Sequence, residues 1–272
     1  MDELKDERTF INLQEELESD EYTLYSSELV IPLGKDTSWK SHFLDLKENN
    51  SLLIAGATGS GKSQFLHSSI YTLMKKLTPD EIKFVLIDPK RIEFAAYKNS
   101  PYLYTEIITD QEKAIETLST VKNEINRRFK LLANSNAVDI DSYNELYDKK
   151  LPYIFILIDE LSDLMLINAQ ECEKNIIEIM QRGEAVGVYQ IIATSRPSVE
   201  VITDKISGNA LQRIAFSTAS QKDSEVIIHD SGAENLLGKG DALLSLPKYS
   251  RLVRVQAPHV TDEEIVKNLQ TR

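Results

Sequence analysis

The 272-residue chain is 42% hydrophobic and 27% charged, with a formal net charge of −12, the composition of a soluble globule long enough to bury a full core. Such a charge excludes a protein that coats nucleic acid with its whole surface, though not one with a few basic residues facing a channel. No apolar run approaches a membrane span of roughly twenty residues, Met1-Asp2-Glu3-Leu4-Lys5 is no signal peptide, and the single Cys172 excludes internal disulfides, so a cytoplasmic location is expected.

Residues 1–28 read as a polar N-terminal arm, with 10–17 as its only helix nucleus; about two-thirds of the acidic excess falls in the first fifty residues. Residues 29–36 and 42–46 read as a β-hairpin with Trp39 at its tip. Leu52 to Ala55 form a short buried strand, and from Ser63 onward a helix is predicted by apolar Phe65, Leu66, Ile70, Leu73, Met74 and Leu77. Between them lies Gly56-Ala57-Thr58-Gly59-Ser60-Gly61-Lys62-Ser63, in the strand-to-helix context that identifies a phosphate loop. Its glycines let successive backbone N–H groups converge on a phosphate at the positive end of the following helix. Gly56 to Ser63, with Gln64 after them, are the candidate nucleotide-binding residues. Lys62 is suited to reach the β- and γ-phosphates of ATP, and the Ser63 hydroxyl to hold Mg²⁺.

Thr78-Pro79-Asp80 breaks the helix, and residues 82–87 form a strand ending at Asp88-Pro89-Lys90, where Lys90 can pair with Glu93 or touch nucleotide. An amphipathic helix over 110–133 carries Arg127 and Arg128, and 143–152 is a polar connection. The apolar run Tyr153-Ile154-Phe155-Ile156-Leu157-Ile158 then delivers Asp159 and Glu160 at a strand tip. Asp159 is the expected Mg²⁺ ligand, and Glu160 the group that polarises a water attacking the γ-phosphorus. This acidic pair sharply lowers the chance that the glycine-rich turn is merely a turn. Further on, 169–185 is helical, 189–194 a strand, 203–212 helical and 213–217 a strand, while 242–246 and 251–256 alternate like an edge hairpin. Alternating strands and helices predict a doubly wound, mainly parallel α/β sheet. His42, His67, His229 and His259 lack metal-ligand spacing and take no role.

Taken together, these blocks resemble the FtsK/SpoIIIE branch of the FtsK-HerA superfamily, DNA-pumping motors of bacteria and mobile elements. The likeness runs from about Leu33 to the end. It rests on Leu33-Gly34-Lys35-Asp36, the phosphate loop, Ile87-Asp88-Pro89-Lys90, Asn123 to Arg128, Asp159-Glu160, Ala193 to Ser198, Val201-Ile202-Thr203, Arg213 to Phe216, Asp223-Ser224 and Gly232 to Asp241. The resemblance implies a RecA-like P-loop ATPase over 29–272 behind the 1–28 arm, a ring of six, and double-stranded DNA threaded through it. Larger relatives also carry membrane segments and a DNA-reading winged helix, which have no counterpart in this sequence.

Three departures stand out. Where the family has Ala-Arg-Ala-Ala-Gly, whose arginine acts on a neighbour's nucleotide, this chain has Gly183-Glu184-Ala185-Val186-Gly187; Arg182, usable only if its helix ends early, and Arg127 or Arg128 are the substitutes. The polar sensor, usually glutamine, is Ser195. A basic residue expected after Asp-Ser is Glu225, leaving Arg196, Lys205 and Lys222 as candidate DNA contacts. The reversed charges motivate an alternative: an ATP-binding structural or assembly subunit of a hetero-oligomeric or secretion complex.

Overall fold

The six residues Tyr153 to Ile158 are all buried, as expected of a strand inside a parallel sheet with helices on both faces. The computed structural model describes residues 10–270. They open with β1 (Ile11–Asn12), α1 (Leu13–Leu17), α2 (Asp20–Thr23) and the hairpin β2 (Val30–Asp36) and β3 (Ser41–Asp45). The parallel core is then built from β4 (Ser51–Ala55), α3 (Lys62–Lys76), β5 (Ile82–Ile87), α4 (Gln111–Ser135), α5 (Ile140–Leu146), β6 (Tyr153–Ile158), α6 (Leu161–Arg182), β7 (Val188–Thr194), α7 (Asp204–Asn209) and β8 (Gln212–Phe216). After α8 (Gln221–Ile228) come β9 (Asp241–Ser245), β10 (Val253–Gln256), β11 (Pro258–His259) and α9 (Asp262–Gln270).

Nine strands form one sheet in the order β3-β2-β10-β9-β8-β4-β7-β6-β5. Strands β8, β4, β7, β6 and β5 are parallel, and the other four are antiparallel additions. Alternate residues feed two cores, as the two-residue period of a strand requires. Ile54, Phe84 and Leu157 pack with Phe65, Ile70 and Leu73 of α3. Leu53, Ile87 and Ile156 pack with Leu118 and Ile125 of α4 and Ile176 of α6. The mainly parallel, doubly wound sheet is therefore as the sequence predicts.

Several local expectations are corrected. Ile11 and Asn12 are a strand paired with β11, not part of a helix; Asn12 instead caps α1, its side chain accepting from the Gln14 and Glu15 N–H groups. Leu13 and Tyr22 are buried, so residues 10–28 lie against the body. The connection at 143–152 contains most of α5, nucleated by a capping box between Asp139 and Ser142. Helix α6 starts at Leu161, eight residues before the expected position, and breaks at Asn168 (φ −152°, ψ 82°) before resuming. The helix expected over 203–212 spans only Asp204–Asn209, because Thr203 caps it and Gln212 already belongs to β8. Strands β9 and β10 are not at an edge: they bridge β8 to the β2–β3 hairpin in the sheet interior.

Candidate functional site

The pairing register aligns the C-terminal tips of the central strands. Ile158 is opposite Ile87 and Ile192, and Ala55 is opposite Thr194, so Asp88, Asp159, Ser195 and Gly56 follow at one edge of the sheet. There they meet the first turn of α3 in a cleft of about 310 Å³ lined by Thr58, Gly59, Gly61, Lys62, Ser63, Gln64, Lys90, Glu93, Asp159, Glu160 and Ser195. Nearly every residue predicted for nucleotide chemistry is in or beside this cleft.

Packing holds the phosphate loop in shape. The Gly56 and Ala57 N–H groups donate to Thr194 O and Ser217 O, and Gly240 N–H donates to Ser60 O. At Gly61 (φ +122°) a Cβ would lie 2.6 Å from Gly240 N, so this close approach and left-handed backbone require glycine. Gly59 (φ +76°), which lines the cleft, has open space where a Cβ would be. No side chain caps α3, leaving the N–H groups of its first turn and its positive dipole end for an anion. Ser60 Oγ and Gln64 Oε1 are buried polar atoms without a hydrogen-bond partner. The Lys62 ammonium donates to Gly56 O (2.8 Å) and Ala57 O (3.0 Å), and burial lowers its pKa.

The two acids are adjacent in sequence but differ in environment. Asp159 is buried, and desolvation followed by the charges of Glu93 and Asp88 pushes its carboxyl up to about 7. Burial alone would raise Glu160 too, but the Lys90 ammonium and the Ser195 and Thr194 donors outweigh it and hold the group at about 2. Its Oε1 accepts from Ser162 Oγ (2.9 Å), Thr194 Oγ1 (2.6 Å) and Ser195 N–H (3.0 Å). Its Oε2 accepts from Lys90 Nζ (2.8 Å), Ser195 N–H (3.1 Å) and Ser195 Oγ. Ser195, the shortened sensor position, is thus wired directly to Glu160. Lys90 pairs with Glu160, which neither alternative drawn from the sequence anticipated.

The sequence reading gives no role at the site to Glu93, which lines the cleft, or to His67, its neighbour. Glu93 is held below the usual carboxylate range, first by His67 and then by the Ser63 hydroxyl, and His67 Nδ1 lies 3.0 Å from Tyr97 Oη. Their available signal was spacing: His67 is one helical turn after Ser63, on the same face. Ser63, Asp159 and Glu93 form an all-oxygen donor set that fits a hard cation such as Mg²⁺. Among the described residues there is no group of three or more His, Cys, Asp or Glu that could hold a metal ion.

The arginines lie elsewhere. Arg128 is 2% exposed, and donates to Glu124 (2.9 Å) and Val186 O (2.8 Å), so it fastens α4 to the turn before β7 and cannot reach outward. Arg127 makes a two-point pair with Glu124. Helix α6 does end at Arg182, but its guanidinium lies 5.1 Å from the Phe129 ring centroid, at the sheet edge opposite the cleft. Glu184 is exposed at that same edge. The proposed DNA contacts are all exposed: Lys205 pairs with Glu173 (2.8 Å), Lys222 faces Glu200, and Arg196 follows Ser195. Glu225 accepts from Gln221 on the surface of α8. Among the described residues no helix is long and apolar enough to cross a membrane.

Comparison with known proteins bears on the family and the fold. The model of the FtsK/SpoIIIE family matches residues 12–150 and 146–199. The chain is 44% identical over 261 residues to DNA translocase FtsK of Helicobacter pylori strain J99, covering 94% of this chain and 31% of that protein. It is 43% identical over 258 residues to DNA translocase FtsK of Caldanaerobacter subterraneus subsp. tengcongensis, covering 94% and 36%. The chain thus spans about a third of the length of these relatives. Among solved structures, the pCW3 conjugation coupling protein TcpA, determined with ATPγS, superposes with a TM-score of 0.80 at 27% identity over 93% of this chain and 73% of that one. The cytoplasmic domain of the Thermomonospora curvata type VII secretion ATPase EccC gives 0.82 at 23% identity, covering 97% and 34%, a likeness of fold.

Proposed function

This chain belongs to the FtsK/SpoIIIE family, and we propose that it is an ATP-hydrolysing motor domain that moves double-stranded DNA as one subunit of a ring, acting in the cytoplasm. The observation that carries the reading is the convergence of Lys62, Asp159 and Glu160 on one cleft at the phosphate loop. The loop N–H groups and Lys62 would hold the phosphates of ATP, and Glu160 would orient a water for in-line attack on the γ-phosphorus. Bound Mg²⁺, held by Ser63 and Asp159, would neutralise charge on the β- and γ-phosphates. Ser195 would report the state of Glu160 to the strand end that carries Arg196, and Arg196, Lys205 and Lys222 would contact DNA phosphates. The named activity of the FtsK relatives supports DNA as the partner. The 27% identity to a conjugation coupling protein determined with ATPγS supports the nucleotide. The ring, of six subunits, is the assembly the family resemblance implies.

A second reading, an ATP-binding assembly subunit in a mixed complex, is favoured by one observation. Where the family resemblance puts the finger stands Glu184, while Arg128 is buried in a structural role and Arg182 lies against Phe129. Loss of a trans-acting arginine can lower turnover about 10³- to 10⁵-fold, so an active partner would have to supply one. ATP turnover with and without duplex DNA at low salt separates the readings. DNA stimulation of the purified chain supports the motor, whereas ATP binding with turnover indifferent to DNA supports the assembly subunit.

A further inference from the structure

Glu160 has no oxygen left for a water. A carboxylate offers about four lone-pair sites, and here six donor contacts from Ser162, Thr194, Ser195 and Lys90 converge on it. Ser162 lies on the helix that begins beside Glu160, and Thr194 and Ser195 lie at the end of the adjacent strand β7. Ser162 and Thr194 are buried in the packed core, and Ser195 is a half-buried residue at the cleft wall. Lys90 differs in every respect: it is the one charged donor of the set, and it follows β5 on the loop Asp88-Pro89-Lys90-Arg91-Ile92. Its side chain is 42% exposed, against 2% for Glu160, so it reaches inward from the surface. The loop turns sharply just after it, with Arg91 in the left-handed region (φ 61°) and Ile92 71% exposed. The inner ends of the loop are fixed by Phe94 N–H donating to Asp88 Oδ2 (3.1 Å) and Arg91 N–H donating to Asp88 O (3.1 Å).

We propose that Lys90 is a latch on Glu160: docked, it occupies Oε2 and keeps the carboxylate from orienting water, and turnover requires it to withdraw. Lys90 acts through Glu160, as a positioning residue, and the inference rests on the reading of Glu160 as the water-orienting group. Without the latch, Ser162, Thr194 and Ser195 still hold the carboxylate, while Oε2 keeps only its Ser195 donors and gains a site for a water. The lysine therefore sets how often the site fires when nothing engages the surface loop.

The test compares Lys90→Met, Lys90→Arg and Glu160→Gln in the full chain. Lys90→Met is expected to raise DNA-independent kcat about tenfold, the effect of releasing one charge-assisted contact, with KM for ATP unchanged; Lys90→Arg, which keeps a charged donor, stays near wild type. Unchanged or lowered kcat in Lys90→Met overturns the latch. A measurement without nucleotide checks the pair independently. Lys90→Met should lower the melting temperature by about 2–4 °C, since Glu160 is left buried without its cation, and should have no such effect in a Glu160→Gln background. An equal loss in both backgrounds also overturns the proposal. If Glu160→Gln itself keeps wild-type turnover, the reading of Glu160 has failed. If Glu160→Gln is inactive while Lys90→Met matches wild type, the latch alone has failed.

Discussion

Asp159 and Glu160 are consecutive residues whose affinities for a proton are driven apart, to about 7 and about 2. One is buried among acids, and the other is saturated with donors and a cation. Such splitting suits a division of labour in which one carboxylate awaits a cation and its neighbour stays ionised.

The buried Asp159 should weaken the protein when nucleotide and metal are withheld. Its folded-state pKa is above the value of 3.8 for a free side chain, so the unfolded chain loses its proton first, and stability falls as pH rises from about 4 to 7. Asp159→Asn removes this penalty. In urea unfolding the variant should gain on the order of 2–4 kcal/mol over wild type at pH 8, from linkage of roughly 1.4 kcal/mol per pH unit, and nothing at pH 4. A gain independent of pH would contradict the assigned environment.

Glu160 has the opposite sign. Its folded-state pKa is below the free value of 4.5, so its contribution is fully present above about pH 4.5 and disappears as pH falls toward 2. Glu160→Gln should lose roughly 2–3 kcal/mol at neutral pH by the same linkage while retaining ATP affinity. Its turnover should drop about 10²-fold or more, the usual scale of general-base loss. Unimpaired steady-state hydrolysis would show that another group orients the water.

Arg128 and Arg182 should separate cleanly. Arg128→Ala leaves Glu124 and the Val186 carbonyl without their buried donor, so it should cost about 3–5 kcal/mol in chemical denaturation. Arg182→Ala removes only an exposed contact with Phe129, worth about 0.5–1 kcal/mol. A comparable loss in both would place Arg128 outside the framework role assigned to it.

Glu184→Arg restores a cation at the position where the family resemblance puts one. ATP turnover with DNA should rise about tenfold or more if that position faces a neighbour's γ-phosphate, a fraction of what a trans-acting arginine supplies elsewhere. Turnover at the wild-type level would mean that another arginine serves.

What the sequence disclosed depended on distance along the chain. The phosphate loop, the apolar strands at 82–87 and 153–158, and Asp159-Glu160 are local patterns, and each has the predicted form in the fold. The position of the β9–β10 hairpin was not legible, because strand order is set by partners such as Phe216 and Lys35 far from residues 241–256. Nor was the fate of Arg128, whose partner carbonyl is 58 residues away, or of Lys90, 70 residues from Glu160. Helix α5 was missed because its polar surface hides the periodicity, and its signal was the Asp139–Ser142 cap. The break at Asn168 interrupts α6 between two good helical stretches, so only the later one stood out.

The most direct test is a crystal structure of the chain with ATPγS and Mg²⁺. The account predicts triphosphate density against the N–H groups of Gly59 to Ser63, Lys62 turned from Gly56 O toward the phosphates, and the ion between Ser63 and Asp159 with Glu160 facing the γ-phosphorus. Nucleotide bound at another surface, or a phosphate loop left unliganded at saturating analogue, would contradict it.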